Sequence, residues 1–412
     1  MLVNNGKYVM NEGVDPLFLA EKYGTPLYVY DFDKIAGQFH RLKAAFDVPN
    51  LQLDYACKAL TNINLLRFVK SLGGALDTVS IEEAQLGLSA GFEPQEIMFT
   101  PNGVAWEEMV AAVGMGLRIN IDSLPMLERF GRTFPDVPVC IRINPHIMAG
   151  GNVKISVGHI DSKFGISYQQ LPSIKAIVEN TGMCINGLHM HTGSDIADPE
   201  AFLQGADLLL QLAMGFPDLD FVDLGGGFKV TYKPGDQGLD LERLGAMLSA
   251  RFRDFCQAYG KNLTLVFEPG KFLVSEAGYL LATTSLIKKT PAATFAFLNT
   301  GLNHLIRPMF YHAYHHIVNV SNPQGDPHLY QVVGYICETD TLGHNREIPE
   351  VREGDVLCLL NAGAYGFMMA SNYNSRPRPA EVMLFEGKDY LIRERETMED
   401  LRRHQIDQHL FD

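Results

Sequence analysis

The sequence lacks the features that place a chain in a membrane, in an oxidising compartment or on nucleic acid. Its six cysteines show no CxxC spacing, and several lie inside apolar runs, so neither a disulfide framework nor a zinc site is expected. No segment is apolar for long enough to span a bilayer, and the amino terminus has no basic region followed by a long apolar stretch. The net charge is −14 without a Lys/Arg cluster, which argues against nucleic acid as a partner. We therefore expect a cytoplasmic protein that binds neither membrane nor nucleic acid.

What is present suits a two-domain enzyme. Of the 412 residues, 46% are hydrophobic, which is enough for two cores. Eight apolar, β-branched runs alternate with segments of helical periodicity. The runs are Leu51–Ala56, Ala75–Thr78, Glu96–Thr100, Leu117–Ile121, Val137–Ile143, Ile185–His191, Phe221–Leu224 and Leu263–Phe267. This repeated βα order predicts an α/β fold with a (β/α)8 TIM-type barrel over residues 26–276.

The pattern changes after about Ser275. Thr-, Val- and Tyr-rich runs such as Val332–Cys337 follow, separated by Gly, Pro and Asp turns, and helical periodicity largely disappears. This texture is typical of antiparallel sheets. We predict a β-sandwich or barrel-like domain over residues 277–412 that also takes in residues 1–25.

Lys58 directly follows the first predicted barrel strand, in the segment Tyr55–Leu60. Residues just past the carboxyl ends of barrel strands face the active-site mouth, whereas residues within the strands fill the core. A lysine at this position is poorly placed for packing and well placed for a Schiff base with a carbonyl group. The alternative is a lysine whose stem merely extends out of the strand end.

His191 ends the sixth predicted strand, two residues after His189. One of an alternating pair points inward in a strand, and the terminal histidine is nearer the mouth. Its flat ring suits stacking on a planar cofactor, although a hydrogen-bonded core histidine has the same pattern. Metal binding is less favoured, because no third ligand appears at compatible spacing.

The last two predicted strands end in glycines and a carboxylate. Gly225–Gly227 follow the seventh strand, and Gly270 lies just beyond the eighth. The corresponding loops of such barrels commonly bind phosphate, although glycine runs also form plain turns. Glu268 ends an almost wholly apolar run, so it needs a cation or a strong donor. A protonated pyridine nitrogen meets that need, and so does a salt bridge to a neighbouring strand.

The predicted β domain carries three further candidate sites. Arg307 and Tyr311 flank a proline-fixed bend, where the arginine suits bidentate binding of a carboxylate or lies on the surface. Cys337 and Glu338 follow a strand and suit a proton donor and an ammonium anchor, although the thiol is equally compatible with an inert role. Tyr365 lies in a small-residue stretch that permits close approach to a ligand or forms only a turn.

Taken together and in this order, these segments resemble the barrel-type (fold type III, alanine-racemase-like) pyridoxal-phosphate decarboxylases, and within them the diaminopimelate decarboxylases. The resemblance runs from Gly24–Asp31 to Arg393–Thr397. It implies a lyase that converts meso-2,6-diaminopimelate to L-lysine and carbon dioxide with pyridoxal 5'-phosphate, the last step of lysine biosynthesis. The implied cofactor contacts are the Schiff base of Lys58, stacking by His191, pairing of Glu268 with the pyridine nitrogen, phosphate binding by Gly225, Gly226, Gly227 and Gly270, and a contact from Tyr365 near the phosphate or ring.

The resemblance also implies how substrate is bound. Arg307 and Tyr311 would contact it, and Cys337 and Glu338 would reach the active site of a partner subunit, so that the homodimer is required for activity. Cys337 would then be a candidate donor of the final proton. The segment Gly158–Ile166 resembles a mobile loop that covers the site and excludes water.

Two positions depart from the family pattern. Lys271 stands where the family usually has an arginine that holds substrate, and a lysine lacks the two-pronged geometry. Asn299 stands where the family often has an aspartate, with no consequence evident from sequence. Alternatives are therefore decarboxylation of carboxynorspermidine or of a basic amino acid such as ornithine, lysine or arginine. An amino-acid racemase or a non-catalytic regulatory relative is less favoured, the latter because Lys58 and the glycine loop are retained.

Overall fold

The computed structural model describes residues 1–4, 6–147, 162–408 and 410. Backbone contacts divide the chain into two units. The barrel unit comprises residues 36–231 and 236–273, and the β-rich unit comprises residues 1–35, 232–235 and 274–412. Within the described ranges, no helix combines the length and the apolar character needed to cross a membrane.

Short elements precede the barrel strands. They are β1 (Leu2–Asn4), β2 (Lys7–Val9), α1 (Pro16–Tyr23), β3 (Leu27–Asp31) and α2 (Phe32–Ala45). Asp15 begins α1 by accepting a hydrogen bond from the Leu17 amide, and Pro16 occupies the first helical position, where its missing N–H has no helical partner to lose.

In the described part of the chain, eight parallel strands close into a ring, which confirms the predicted barrel. The barrel-unit strands are β4 (Asn50–Ala56), β5 (Ala75–Thr78), β6 (Ile97–Phe99), β7 (Arg118–Ile121), β8 (Val139–Asn144), β9 (Ile166–Ser167), β10 (Ile185–His189), β11 (Phe221–Asp223) and β12 (Thr264–Phe267). Pairing of β8 with β10 and of β12 with β4 completes the ring, and the short β9 pairs with β8 outside it.

Helices connect these strands in the βα order that the periodicity predicts. They are α3 (Ile63–Ser71), α4 (Ile81–Ser89), α5 (Trp106–Gly114), α6 (Leu124–Thr133), α7 (Leu171–Thr181), α8 (Pro199–Ala213), α9 (Leu241–Tyr259) and α10 (Lys271–Val274). Asp240 caps α9 by accepting from the Arg243 amide, and Gly260 ends the helix at φ +84°, a left-handed conformation that favours glycine.

The barrel interior is apolar at the amino-terminal ends of several strands. Met98, Cys140, Phe221 and Val266 form one buried cluster from four strands. Gly187 permits this packing, because a Cβ atom there would lie 2.1 Å from the Phe221 ring. Side chains alternate along a strand, so residues two positions further on also face the interior. Those positions carry the polar groups of the candidate site.

The β-rich unit is built around a long central strand. Its carboxyl-terminal elements are β13 (Gly278–Lys289), β14 (Thr294–Leu298), α11 (Arg307–Tyr311), β15 (Ile317–Asn319), β16 (Pro327–Val333), β17 (Thr341–Pro349), β18 (Val356–Leu359), β19 (Ala380–Phe385), β20 (Lys388–Arg393) and α12 (Met398–Arg402). Strand β13 pairs antiparallel with β3, β14 and β18. The sheet is not purely antiparallel, since β14 pairs parallel with β16 and β3 with β19.

The boundary between the first segment of the β-rich unit and the barrel unit lies after residue 35, whereas the prediction placed it after residue 25. The prediction assigned residues 26–276 to the barrel, whereas β3 pairs with β13 and β19 of the β-rich unit. All five β3 residues are buried, so its sequence reads as a continuous apolar run like that of a barrel strand. Hydrophobic pattern alone does not distinguish these two environments.

Asn299 has a structural role in the β-rich unit. Its amide nitrogen donates to the Thr25 carbonyl (3.1 Å) and hydroxyl (2.9 Å), and its amide oxygen accepts from the Thr283 N–H (2.9 Å). An ionised aspartate has no hydrogen to donate, so it could not form the bond to the Thr25 carbonyl. The asparagine therefore joins the segment before β3 to β13.

Candidate active site

Polar side chains converge where the parallel strands of the barrel end. All of them are buried, and they are Asp77, Arg142, His189, Asp223 and Glu268. Arg142, Asp223 and Glu268 each lie two positions beyond a residue of the interior cluster, so the side-chain period directs them inward. Sequence reasoning singled out only Glu268 as a site residue, and discussed His189 only as the partner of His191 in an alternating pair.

Lys58 lies in a single 3₁₀ turn, Cys57–Ala59, directly after β4. Its Nζ is 3.7 Å from Oδ2 of Asp77 at the end of β5. The lysine side chain is 42% exposed, whereas the aspartate side chain is only 1% exposed. The neighbouring Cys57 and Ala59 are buried, which fixes the turn while the amine stays accessible at the barrel end.

Glu268 and His189 form a buried hydrogen-bonded pair. The Nε2 atom of His189 is 3.1 Å from Oε2 of Glu268. Burial opposes ionisation of Glu268, but the adjacent imidazole, together with Lys58, holds the pKa of this carboxyl at about 2. The other oxygen, Oε1, is buried and has no hydrogen-bond partner among the described residues. Glu268 therefore offers one ionised, unsatisfied oxygen to a donor that enters the site.

Two further carboxyl groups flank this pair. Burial, followed by repulsion from Glu268, raises the pKa of Asp77 to about 8. The same two causes raise the pKa of Asp223 well above its usual value. Because like charges disfavour one another in a buried site, the negative charge is concentrated on Glu268.

The triglycine loop after β11 is tightly packed. Gly225 and Gly227 have φ values of +67° and +100°, which favour glycine. A Cβ atom at Gly226 would lie 2.3 Å from the Glu268 carbonyl oxygen, and one at Gly227 would lie 2.3 Å from the Gly193 carbonyl oxygen. The loop thus brings backbone without side chains close to Glu268, while the N–H groups of Gly225 and Gly226 donate to Asp223 (2.8 Å) and His191 (3.2 Å).

Gly270 occupies a similarly close position. A Cβ atom there would lie 3.4 Å from the Cβ atoms of Ala56 and Ala59, which flank the Lys58 turn. Glycine therefore lets the loop after β12 approach that turn. An accessible amine, an unsatisfied carboxylate oxygen and glycine-lined backbone fit a planar group that carries a carbonyl, a ring nitrogen and a phosphate.

His191 is half-buried, and its Nδ1 accepts the Gly226 N–H at 3.2 Å. That bond places the ring hydrogen on Nε2. Burial, followed by the positive charge of Arg142, lowers the pKa of His191 to about 3. A neutral, oriented imidazole results, which suits stacking on a ring.

Lys271 carries an ion pair that sequence reasoning did not anticipate. Its Nζ is 2.6 Å from Oδ1 of Asp195, and the lysine side chain is only 8% exposed. Asp195 lies in the loop after β10 with φ +63°. The pair links the loop after β10 to the first residue of α10, so that a carboxylate of the same chain neutralises the Lys271 charge.

In the β-rich unit, Arg307 begins α11 and is only 7% exposed. No carboxylate of the described residues forms an ion pair with it. Burying an uncompensated cation is unfavourable, so this guanidinium suits an anionic ligand. Tyr311, predicted to act with it, ends α11 and is half-buried.

Cys337 and Glu338 lie exposed in the loop between β16 and β17. The Asn374 side chain accepts from the Cys337 amide (3.2 Å) and donates to its Sγ (3.2 Å), and the Tyr373 hydroxyl donates to Oε1 of Glu338 (3.0 Å). Both side chains are therefore held in place despite their exposure. Tyr365 is half-buried with φ +57°. Residues 158–161 of the predicted covering loop lie outside the described residues.

Three strand ends also bring together a set that could ligate a metal ion. Ligand atoms of His189, Asp223 and Glu268 all lie within 4.8 Å of one another. Sequence spacing did not reveal a third ligand because each residue lies on a different strand. A carboxyl group ligates a metal in its ionised form, and burial opposes ionisation of Asp223 by raising its pKa. The absence of a resident metal stays a prediction.

The chain is similar to known proteins over nearly its whole length, in sequence and in structure. Residues 32–275 match the family model described as "Pyridoxal-dependent decarboxylase, pyridoxal binding domain". Diaminopimelate decarboxylase of Methanothermobacter thermautotrophicus is 38% identical, with 98% of this chain and 96% of that protein covered. The corresponding protein of Vibrio cholerae is 35% identical, with 93% of each covered. Diaminopimelate decarboxylase of M. jannaschii in co-complex with L-lysine superposes with a TM-score of 0.89 at 31% identity, covering 98% of this chain and 97% of that one.

Proposed function

The chain belongs to the diaminopimelate decarboxylase family of pyridoxal-dependent decarboxylases, and we propose that it releases carbon dioxide from meso-2,6-diaminopimelate and leaves L-lysine. It is a carboxy-lyase of lysine biosynthesis, and its cofactor is pyridoxal 5'-phosphate. The observation that carries the proposal is the meeting of an accessible Lys58 amine and an ionised Glu268 with one unsatisfied oxygen at one end of the barrel.

When bound, pyridoxal 5'-phosphate supplies a cationic ring that accepts electrons from the carbon losing its carboxylate. Lys58 would hold the cofactor through its amine. Glu268 would pair with the pyridine nitrogen through its unsatisfied Oε1, and the low pKa of this carboxyl would favour the protonated ring. His191 packs against the ring, and the glycine backbone at Gly225–Gly227 and Gly270 lies against the phosphate.

Residues of the β-rich unit complete the proposal. Arg307 and Tyr311 bind the second carboxylate of the substrate, which is not lost in the reaction. Arg307 is buried and has no carboxylate partner in the described ranges, which supports this role. Tyr365 contacts the cofactor.

We further propose a homodimer that acts in the cytoplasm. Cys337 and Glu338 serve the active site of the partner subunit, with Cys337 as a donor of the final proton. Their exposure, combined with side-chain bonds from Tyr373 and Asn374, supports a role outside their own unit's core. All six cysteines are free thiols, in keeping with a reducing compartment.

One observation favours a second candidate, a decarboxylase of a basic amino acid or of carboxynorspermidine. We propose Lys271 as a substrate contact, but its charge is shared with Asp195 at 2.6 Å. A shared point charge attracts a substrate carboxylate less than a free arginine does. Arg307 supports the first candidate, because a substrate without a second carboxylate would leave it unpaired.

The test is carbon dioxide release from purified protein with meso-diaminopimelate, lysine, ornithine, arginine and carboxynorspermidine, each with and without added cofactor. We expect release from meso-diaminopimelate that Lys58→Ala abolishes. Lys43→Ala removes an exposed lysine of α2 and should leave the rate unchanged. Release from another amine would move the substrate while keeping the cofactor, and no release with any substrate would reject the proposed function.

A further inference from the structure

Resting on the proposed function, we infer that His315 and Tyr232 are positioning residues that hold the buried Arg307 guanidinium in a fixed orientation for the second carboxylate of the substrate. Neither residue emerged from the sequence as a candidate. Both lie in the β-rich unit with Arg307, so the arrangement is internal to one unit.

The guanidinium is held at both of its terminal nitrogens. Its Nη1 is 3.4 Å from Nε2 of His315, and its Nη2 donates to the Tyr232 hydroxyl at 3.3 Å. The Arg307 guanidinium carbon also lies 5.2 Å from the centre of the Tyr232 ring. Of the five guanidinium hydrogens, these two bonds use one on each terminal nitrogen. Three hydrogens remain to bind a carboxylate, and their directions are fixed.

The hydrogen on the His315 ring is fixed by its other nitrogen. Nδ1 is 2.9 Å from the carbonyl oxygen of Leu360, which can only accept. The ring hydrogen therefore lies on Nδ1, and Nε2 keeps the lone pair that accepts from Arg307. His315 is fully buried, and burial followed by the charge of Arg307 lowers its pKa to about 3. The imidazole thus stays neutral at physiological pH, as an acceptor for a cation must.

Tyr232 is held in turn by Ser275, whose hydroxyl donates to the Tyr232 hydroxyl oxygen at 3.1 Å. The same Ser275 oxygen lies 3.4 Å from the Asn361 carbonyl oxygen. Ser275 itself is fully buried. The two groups that contact Arg307 are therefore each held by a further hydrogen bond, His315 by the Leu360 carbonyl and Tyr232 by the Ser275 hydroxyl. Such support keeps a side chain in the geometry that bidentate binding requires.

These neighbours orient the charge without neutralising it. A carboxylate in place of His315 would hold Arg307 equally well but would occupy the cation that the substrate needs. Two neutral acceptors leave its positive charge available. The arrangement therefore selects for a ligand carboxylate by geometry, and it should affect binding of the second carboxylate more than the chemical step.

The test compares His315→Leu, His315→Gln and Tyr232→Phe in the cofactor-loaded enzyme. For His315→Leu we expect the KM for meso-diaminopimelate to rise about tenfold, with kcat within about twofold, since an orienting hydrogen bond contributes roughly one such factor. His315→Gln keeps an acceptor near Nε2 and should recover most of the loss. Tyr232→Phe should raise KM by a smaller factor. His316→Leu is the matched control, because that side chain contacts Tyr314 and not Arg307.

A binding measurement separates positioning from general damage. L-Lysine carries the carboxylate that the reaction retains, whereas 1,5-diaminopentane has the same chain and no carboxylate. We expect His315→Leu to weaken inhibition by L-lysine about tenfold and to leave inhibition by the diamine unchanged. Equal loss for both ligands would assign His315 a merely structural role and overturn the inference. An active wild type whose KM is unaffected by His315→Leu and Tyr232→Phe would overturn the inference alone, whereas a wild type inactive on meso-diaminopimelate would reject the proposed function and this inference with it.

Discussion

Each of the two units contains a buried charged group that contacts a histidine, and the two histidines contact charges of opposite sign. In the barrel unit, Nε2 of His189 lies 3.1 Å from Oε2 of the anionic Glu268. In the β-rich unit, Nε2 of His315 lies 3.4 Å from Nη1 of the cationic Arg307. Burial lowers the pKa of both imidazoles, so both are neutral near pH 7. A neutral ring has one donor and one acceptor nitrogen, so the same residue type satisfies either charge.

The surroundings of the two charges differ more than their histidines do. Glu268 shares its site with Asp77 and Asp223, and burial together with repulsion from Glu268 raises the pKa of both carboxyls. Arg307 has neutral acceptors from His315 and Tyr232. The groups around Glu268 thus set its charge, whereas the groups around Arg307 set the orientation of its guanidinium. Changes to the first should act mainly on the rate of the chemical step, and changes to the second on substrate binding.

The largest effect should come from Glu268→Gln. A neutral amide no longer favours the protonated pyridine nitrogen, so we expect kcat to fall by about 100-fold or more while KM changes little. Steady-state carbon dioxide release measures both constants. Glu179→Gln, at an exposed position of α7, is the matched control. A kcat within a factor of about three of wild type would remove Glu268 from the account.

His189→Leu should have the next largest effect. Without its hydrogen bond to Glu268, the carboxylate loses a donor, and we expect kcat to fall about tenfold. His189→Gln retains a donor and should restore much of the rate. The ¹⁵N chemical shift of labelled cofactor gives an independent measurement, and it should move toward the unprotonated ring in the leucine variant only. An unchanged shift in that variant would show that His189 does not act through Glu268.

Asp77→Asn should change how the stability of the fold depends on pH. The pKa of Asp77 is about 8 in the fold against an ordinary 3.8, so the folded wild type holds a proton that the unfolded chain has lost. The wild type therefore loses stability as pH rises between these two values. The asparagine variant has no such loss, and its advantage in thermal unfolding should be larger at about pH 8 than at about pH 5. An advantage that shrinks with rising pH would contradict the assignment.

Asp195→Asn should have the smallest effect. Releasing Lys271 from its ion pair leaves a freer cation for the substrate, so we expect the KM for meso-diaminopimelate to fall by a factor of about two to three. Steady-state kinetics at fixed ionic strength measure it. A rise in KM would instead indicate that Asp195 itself binds an ammonium group of the substrate.

Most of the barrel, and the site residues with unusual charge for their position, could be predicted from the sequence. Lys58 and Glu268 stand out because each is a charged residue at the end of an apolar run. Packing of the core does not explain a charged side chain at such a position. His189, Asp77 and Asp223 are less visible, since their importance depends on strands far apart in sequence becoming neighbours. The register of β10, β11 and β12 aligns His189 with Asp223 and places Glu268 beside them. That register is not encoded in any local pattern.

Other features were out of reach for a similar reason. β3 was assigned to the barrel because full burial gives the same apolar pattern in either unit. The contact between Arg307 and His315, eight positions later, depends on the path of the chain after α11. The Lys271–Asp195 pair depends on the irregular backbone of the loop after β10 and on where α10 begins. Loop contacts follow from tertiary structure and leave no periodic signal.

The most direct test of the division between the two sites is how kcat and KM for meso-diaminopimelate change in two variants. In Glu268→Gln kcat should fall while KM stays near the wild-type value. In Arg307→Lys KM should rise and inhibition by L-lysine should weaken, because both ligands lose the contact to the retained carboxylate. A KM that rises in Glu268→Gln, or that stays unchanged in Arg307→Lys, would contradict the assignment of cofactor chemistry to one unit and carboxylate recognition to the other.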